Sequence, residues 1–322
     1  MNAYADVHAL VLGATGFIGR WVAVALSRAG AQVTCAVRDR AAMERIAQRH
    51  DMHVSIVSVN LADPHSVAAL FNARIATVTF NLAGYGIDRA EQDERVAQRI
   101  NADLVNELVS HCRAAPAPPS WRGHRLVHVG SALEYGPIGG SLPESGEARP
   151  NTLYGRTKLA GTLHTRGKPG AMTARVFTAY GAGEHEGRLL PSLLSARTSD
   201  GPILLSAGTQ SRDFTYVEDI ADGLLRLGAA PDLSAAPVNL ATGVLTTVRQ
   251  FAETAATVAG LAADRLHFGA RAGYADETPH GAVTTARLRA AVGWVPTTGI
   301  ADGIARSIAQ MDRGGDEAPS AS

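Results

Sequence analysis

Three residues stand in an arrangement that can do proton chemistry on a carbonyl. Tyr154 and Lys158 open one helical stretch, Tyr154-Gly155-Arg156-Thr157-Lys158, and their spacing of four puts them on one helix face. A free tyrosine has a pKa of about 10 and is a poor proton donor or acceptor near neutrality. A lysine ammonium alongside favours the phenolate and is expected to lower that pKa. The same ammonium can hold a ribose. Such a pair is also common on surface helices, so it gains meaning only from its company. Ser131 provides that company, just beyond a strand end, where ligands of open parallel sheets bind. Its hydroxyl can orient a substrate carbonyl toward the tyrosine; capping the loop is the alternative role.

A second cluster suits a dinucleotide. The apolar run Leu10-Val11-Leu12 leads directly into Gly13-Ala14-Thr15-Gly16-Phe17-Ile18-Gly19, and a helical pattern follows. Gly13 permits a tight turn, Gly16 clears the approach of a pyrophosphate, and Gly19 lets the helix pack close to the sheet. The helix N-terminus offers free amides and a positive dipole end to the phosphates. Thr15, Phe17 and Ile18 complete the candidate cofactor contacts of this turn. The next strand ends Ala36-Val37-Arg38-Asp39-Arg40, with Val37 where an acid would hold the ribose of NAD. Arg38 can clamp a 2′-phosphate with its planar donor fork, so NADP(H) is expected. A solvated Arg38, with Asp39 as the ribose ligand one place on, is the competing reading. Asn60 and Leu61 are placed to flank the adenine, and a helix cap accounts equally for the nearby Asp63.

These groups need elements to place them. Strand-like runs fall at His8–Leu12, Gln32–Val37, His53–Val59, Thr77–Asn81, Arg125–Gly130 and Thr173–Thr178. Helical stretches alternate with them at Phe17–Ala29, Arg40–Arg49, Pro64–Phe71, Asp88–Cys112 and Thr152–Thr165. Alternation implies right-handed crossovers and a parallel sheet covered on both faces. The strands are almost continuously apolar, as such a sheet requires. The fold class is therefore α/β, a Rossmann-type doubly wound parallel sheet with a smaller C-terminal substrate-binding lobe. From Tyr180 the alternation loosens: helices are expected at Leu189–Arg197, Val248–Ala259 and Thr285–Val292, with strands near Ile203–Leu205 and Leu266–Phe268. We place the dinucleotide domain at residues 1–181, with 214–242 returning to it. The substrate lobe is 182–213 and 243–311, and 312–322 is a disordered tail. The proline-rich segment Ala114–Gly123 reads as a surface loop.

The chain has 322 residues, 46% of them hydrophobic, and 30 basic residues against 30 acidic. The even balance supplies no field for nucleic acid or an anionic membrane. Cys35 and Cys112 have neither the number nor the spacing of a disulfide framework or zinc site, so no metal is expected. There is no signal-peptide pattern and no apolar run long enough for a bilayer, which makes a cytoplasmic protein the expectation.

Taken together, the motifs resemble those of the extended short-chain dehydrogenases/reductases, the NAD-dependent epimerase/dehydratase family of nucleotide-sugar enzymes. The resemblance spans nearly the whole chain. It rests on the glycine turn, Asn81-Leu82-Ala83-Gly84, Ser131-Ala132-Leu133-Glu134-Tyr135-Gly136, the Tyr154/Lys158 pair, and the segments Arg175 to Gly181 and Arg212 to Asp219. It implies Tyr154 as acid/base, Lys158 as its modulator and ribose ligand, and Ser131 as the carbonyl-orienting hydroxyl. Leu82 and Ala83 join the cofactor set. Arg212 matches a family arginine on the substrate pyrophosphate, with Arg271 and Arg188 as further candidates; a surface ion pair with Asp213 would also account for Arg212.

The family's sugar dehydratases carry an Asp-Glu pair directly after the catalytic hydroxyl. Here those positions are Ala132 and Leu133, and Glu134, one place late, is expected to face elsewhere. Epimerases usually hold NAD tightly, whereas Arg38 suggests NADP. The expectation is a ketoreductase delivering hydride from NADPH to a nucleotide-sugar ketone, the C4 ketone of a 4-keto-6-deoxy sugar. Rival readings are a nucleotide-sugar epimerase, a reductase of small aromatic or aliphatic ketones, and a non-catalytic NADP(H)-sensing regulator. Regulators of that kind typically lose the Tyr–Lys pair. A homodimer through Asp88–Cys112 and Thr152–Thr165 is an open expectation.

Overall fold

The computed structural model describes residues 2–314 apart from 74–75, 89, 115–117, 139, 232, 234 and 274–280. The elements run β1 His8–Leu12, α1 Phe17–Arg28, β2 Gln32–Val37, α2 Arg40–Arg49, β3 Val54–Ser58, α3 Pro64–Ala73 and β4 Val78–Asn81. Then come α4 Glu94–Gln98, a π-helical turn Arg99–Asp103, α5 Leu104–Ala114, β5 Leu126–Ser131, α6 Leu153–Thr165, β6 Ala171–Val176 and β7 Thr178–Tyr180. The rest are α7 Leu189–Ser195, β8 Ile203–Leu205, β9 Ser211–Arg212, β10 Phe214–Tyr216, α8 Val217–Ala229, β11 Val238–Leu240, β12 Thr246–Thr247, α9 Val248–Ala259, β13 Leu266–Phe268, α10 Ala286–Val292 and α11 Ile300–Gly314.

Seven strands form one sheet in the order β11-β6-β5-β4-β1-β2-β3, and every neighbouring pair is parallel. Strand order reverses between β1 and β4, and this switch point opens a crevice at the strands' carboxyl ends. Successive residues of β1 serve opposite faces, as strand geometry dictates. Ala9 and Val11 join a core with Trp21 and Val22 of α1 and Leu224 of α8. Leu10 and Leu12 join a second core with Val67 and Leu70 of α3 and Leu104 and Leu108 of α5. Phe251 of α9, Leu193 of α7 and Ile304 of α11 belong to the first core, so the C-terminal elements pack into the same apolar mass.

Several expected bounds shift. The stretch Asp88–Cys112 is not one helix. Its described residues up to Asp93 are irregular, because Asp93 caps α4 by accepting from Arg95 N and Val96 N at 2.9 and 3.1 Å. The strand expected at Thr173–Thr178 starts and ends earlier, as β6, and Thr178 begins β7, which pairs with β10. Residues 312–314, expected in the disordered tail, are helical: α11 continues to Gly314, and Arg197 pairs with Asp312 at 3.2 Å. Residues 315–322 lie outside the described residues, as do 115–117 of the proline-rich loop. Helix α8 was not expected, although Val217, Ile220, Ala221, Leu224 and Leu225 are buried at the period of an amphipathic helix and Glu218 and Asp219 sit in its first turn.

Candidate active site

The glycine turn sits at the switch point. Gly13 has φ +76, and a Cβ there would lie 2.9 Å from Ala83 N, on the loop after β4. Leu82 N donates to Leu12 O at 3.0 Å, which fixes that loop against β1. A Cβ on Gly19 would collide with the Gly13 carbonyl. Gly16 is the N-cap of α1 and provides no side-chain cap, so the first amides of α1 are not claimed by a capping side chain. Such a terminus suits a pyrophosphate. Phe17 and Ile18 pack partly buried against the first core. Behind the turn, Arg20 donates to Thr15 O at 2.9 Å and to Gly16 O at 3.4 Å. Neither the backing role of Arg20 nor its burial was expected from the sequence.

At the end of β2, Val37 is buried in the core and Arg38 is exposed. Asp39 caps α2, accepting from Ala42 N at 2.9 Å, so its carboxylate already has a structural task. Asn60 Oδ1 accepts from Ala62 N in a local turn, and Leu61 beside it is half-buried. Asp63 accepts from His65 N at the start of α3, the cap that the sequence allowed.

The chemical end is built on β5 and α6. Ser131 closes β5 and is only 9% exposed. Its hydroxyl accepts from Leu133 N at 3.2 Å, and it lowers the Tyr154 pKa, against the larger effect of burial. Thr152 caps α6 through Gly155 N at 3.0 Å, which places Tyr154 in the first turn. A Cβ on Gly155 would collide with Leu133 O, so glycine is what lets α6 begin against the Ser131 turn. Lys158, one turn further, is 2% exposed. The π-helical turn braces α6 from the other side. Asn101, fully buried there, donates to Tyr85 O at 2.7 Å and Thr157 Oγ1 at 2.9 Å, and its own carbonyl side accepts from Tyr85 N at 3.0 Å.

The electrostatics revise one expectation. The Tyr154 phenol is held above its ordinary pKa, first by burial and next by Glu134, with Glu91 adding to the rise; Arg188 and the Ser131 hydroxyl oppose it. Burial and the acidic neighbours outweigh what a nearby lysine was expected to do. The phenol therefore keeps its proton at neutral pH. Burial brings Lys158 down to about 8, and Glu134 opposes that fall. His128, buried beneath, is pushed well below its usual value by burial, then by Lys158 and His164, and its Nδ1 pairs with Asn81 Nδ2 at 3.2 Å.

Glu134 faces away from the substrate side, as expected, and turns into the protein beneath Ser131. It is 0% exposed and pairs with Arg175 at 2.8 Å. Spacing from Ser131 alone could not show this, because its partners lie on α6 and β6.

Of the candidate substrate arginines, only Arg188 is among the charges that act on the Tyr154 pKa, which it lowers. It occupies the N-cap position of α7 without a side-chain cap, and sits 3.6 Å from Glu184, a 7% exposed carboxylate that burial raises to about 7. Arg212 lies on β9, which pairs with β12, and donates to Ser211 O at 2.9 Å. Its neighbour Asp213 is fully buried and accepts from Thr215, Thr242 and Gly243, which ties the β9–β10 corner to the loop after β11. Arg271 follows β13 and its backbone donates to Leu205 O at 3.1 Å.

The chain as a whole matches known proteins. The NAD dependent epimerase/dehydratase family model matches residues 9–241. The chain is 32% identical over 310 residues to the dTDP-6-deoxy-L-talose 4-dehydrogenase (NAD(P)(+)) of Kitasatospora kifunensis, covering 91% of this chain and 92% of that protein. It is 27% identical over 244 residues to a dTDP-4-dehydrorhamnose reductase of Streptomyces griseus, covering 74% of this chain and 71% of that one. Among solved structures, MoeE5 in complex with UDP-glucose and NAD superposes with a TM-score of 0.77 at 24% identity, over 95% of this chain and 99% of that one. The last match speaks for the fold; the family match, over most of the chain, goes further. The chain is a member of the NAD-dependent epimerase/dehydratase family, an extended short-chain dehydrogenase/reductase.

Proposed function

We propose that this chain is an NADPH-dependent ketoreductase of nucleotide-activated sugars, acting on the C4 ketone of an NDP-4-keto-6-deoxyhexose. The observation that carries the reading is the placing of buried Ser131, at the end of β5, against the first turn of α6, which carries Tyr154 and, one turn on, the buried Lys158. When bound, the nicotinamide cofactor supplies the hydride. The chain's residues do the rest. Ser131 holds the carbonyl oxygen, and Tyr154 gives its proton to the alkoxide as it forms. Lys158 holds the nicotinamide ribose and restores the charge balance around the phenol. Arg188 meets the anionic substrate, Arg38 holds the 2′-phosphate, and Arg212 and Arg271 serve the pyrophosphate. Residues 182–213 and 243–311 form the substrate lobe.

Two further observations support reduction over water elimination. Ala132 and Leu133 occupy the places of an elimination pair. The carboxylate of Glu134 is committed to Ser131 N, Thr162 and Arg175, and so is not available as a substrate acid or base. The relatives named above include a C4 dehydrogenase and a 4-keto reductase of dTDP-sugars, the same class of reaction read in either direction.

The test is a panel of nucleotide 4-keto-6-deoxysugars with different bases, incubated with NADPH while its oxidation is followed. Stoichiometric oxidation with one of them is the expected result. Interconversion of two nucleotide sugars without net cofactor change, by a protein that keeps NAD through extensive dialysis, would instead make it an epimerase.

A further inference from the structure

Glu134 joins three elements through one carboxylate. Oε1 accepts from Ser131 N at 2.8 Å and from Thr162 Oγ1, on α6, at 3.0 Å. Oε2 accepts from Arg175 Nε, on β6, at 2.8 Å. The Arg175 guanidinium in turn lies 4.5 Å from the centre of the Tyr135 ring. The residue before Ser131 must be small for this to happen, since a Cβ on Gly130 would lie 2.5 Å from Glu134 Oε1. The carboxylate forms one half of a capping box on the turn Ala132–Glu134, with Ser131 as the other half.

We propose that Glu134 is a positioning residue of the active site: its buried carboxylate clamps the Ser131 turn to the helix of Tyr154 and Lys158 and sets a fixed negative charge beside both. The proposal rests on the ketoreductase reading. A reductive step needs a phenol that keeps its proton until the alkoxide forms, and a neighbouring carboxylate disfavours the phenolate. The same charge favours the lysine ammonium. The groups facing Tyr154 are Glu134 and Glu91 on the acidic side, and Arg188 and the Ser131 hydroxyl on the other. Lys158 is faced by Glu134 and by His128. Arg175 pairs with the other oxygen of the Glu134 carboxylate, so this buried acid has a buried cationic partner. An enzyme cannot move the equilibrium of its reaction. It can set the pH range in which Tyr154 serves as donor, and Glu134 extends that range upward.

The test uses Glu134→Gln and the double variant Glu134→Gln/Arg175→Met. The double variant leaves neither member of the Glu134–Arg175 pair as a lone buried charge, which guards against the single variant failing to fold. Reduction and the reverse oxidation are measured against pH with the same sugar pair. Ionisation of Tyr154 is read separately, as the phenolate absorbance lost when Tyr154→Phe is added to each protein. In both variants the alkaline limb of reduction, the rising limb of oxidation and the phenolate midpoint shift to lower pH by about one unit or more. Should the wild type show no limb before it unfolds, a limb that enters the accessible range in the variants is the expected shift. Lower rates with unmoved midpoints, or a shift to higher pH, overturn the proposal. Failure of the wild type to reduce any nucleotide 4-keto sugar counts against the ketoreductase reading alone, because the phenolate midpoint still decides the role of Glu134.

Discussion

Replacing Lys158 by methionine should make the protein more stable at neutral pH while removing its activity. Lys158 is 2% exposed, and burial brings its pKa from the 10.5 of an exposed lysine to about 8. In the unfolded chain the ammonium keeps its ordinary affinity for the proton. Keeping it charged in the fold therefore costs about 3 kcal/mol at neutral pH. The sign follows from proton counts. Between about pH 8 and 10.5 the unfolded chain holds more protons at this site than the folded one, so wild-type stability rises with pH across that window. Below it the cost is constant, and above it the cost is gone. Methionine has a similar stem and no charge, so most packing contacts survive. Glu134 keeps its partner Arg175 and is not left as a lone buried charge. Urea unfolding of both proteins at neutral pH and near the upper end of that window measures the effect. The variant should be more stable by ~1–3 kcal/mol at neutral pH, allowing for lost packing, with the gap closing as pH rises. A variant less stable than wild type at neutral pH, or a gain of one size at every pH, would refute the reasoning.

Tyr154→Phe should lower turnover by about 10²–10⁴-fold, the usual worth of a positioned general acid, with NADPH affinity nearly unchanged. Turnover within tenfold of wild type would sink the assigned role. Arg38→Ala should raise the Michaelis constant for NADPH by about tenfold or more, the worth of a charge-assisted hydrogen bond, and leave that for NADH within about twofold. Equal changes for both would remove Arg38 from the phosphate site. Gly19→Ala drives a methyl group into the Gly13 carbonyl and should cost about 1–3 kcal/mol in thermal stability, with loss of NADPH fluorescence enhancement. A variant that melts and binds like wild type would contradict the packing described for the turn.

What could be read from the chain beforehand followed from local rules. The inner strands of the sheet are buried on both faces, so they show as apolar runs, and the glycines after β1 show as a turn that only small residues tolerate. Element bounds failed where distant contacts decide them. The π-helical turn is held by Asn101 reaching Tyr85 and Thr157, neither of which is near it in sequence; the start of α4 is instead a local cap by Asp93 that the apolar pattern hid. Strand β11 has three residues and no signature of its own; its pairing with β6 makes it a strand. The candidate site was legible in the spacing of Tyr154 and Lys158 and in Ser131 at a strand end. Its charge state was not, because the rise in Tyr154 comes from burial and from Glu134, and burial is a property of the assembled fold.

The packing of α8 against α1 bears on how the chain is made. The apolar face of α1, with Trp21, Val22 and Leu26, is covered in part by Leu224 and Leu225 of α8, and the Tyr4 hydroxyl donates to Leu225 O at 2.7 Å. Those partners are separated by most of the chain. A growing chain therefore leaves the ribosome with its first helix complete and the surface that helix needs still unsynthesised. Local pairing can form β1, β2 and β3, but the sheet gains its last strand only when Val238–Leu240 emerges. Folding dominated by such late, long-range closure is slow and exposes apolar surface meanwhile. Expression of fragments that stop before Val217 should give insoluble protein even though the whole glycine turn is present, and chaperone demand should fall sharply once α8 has been made.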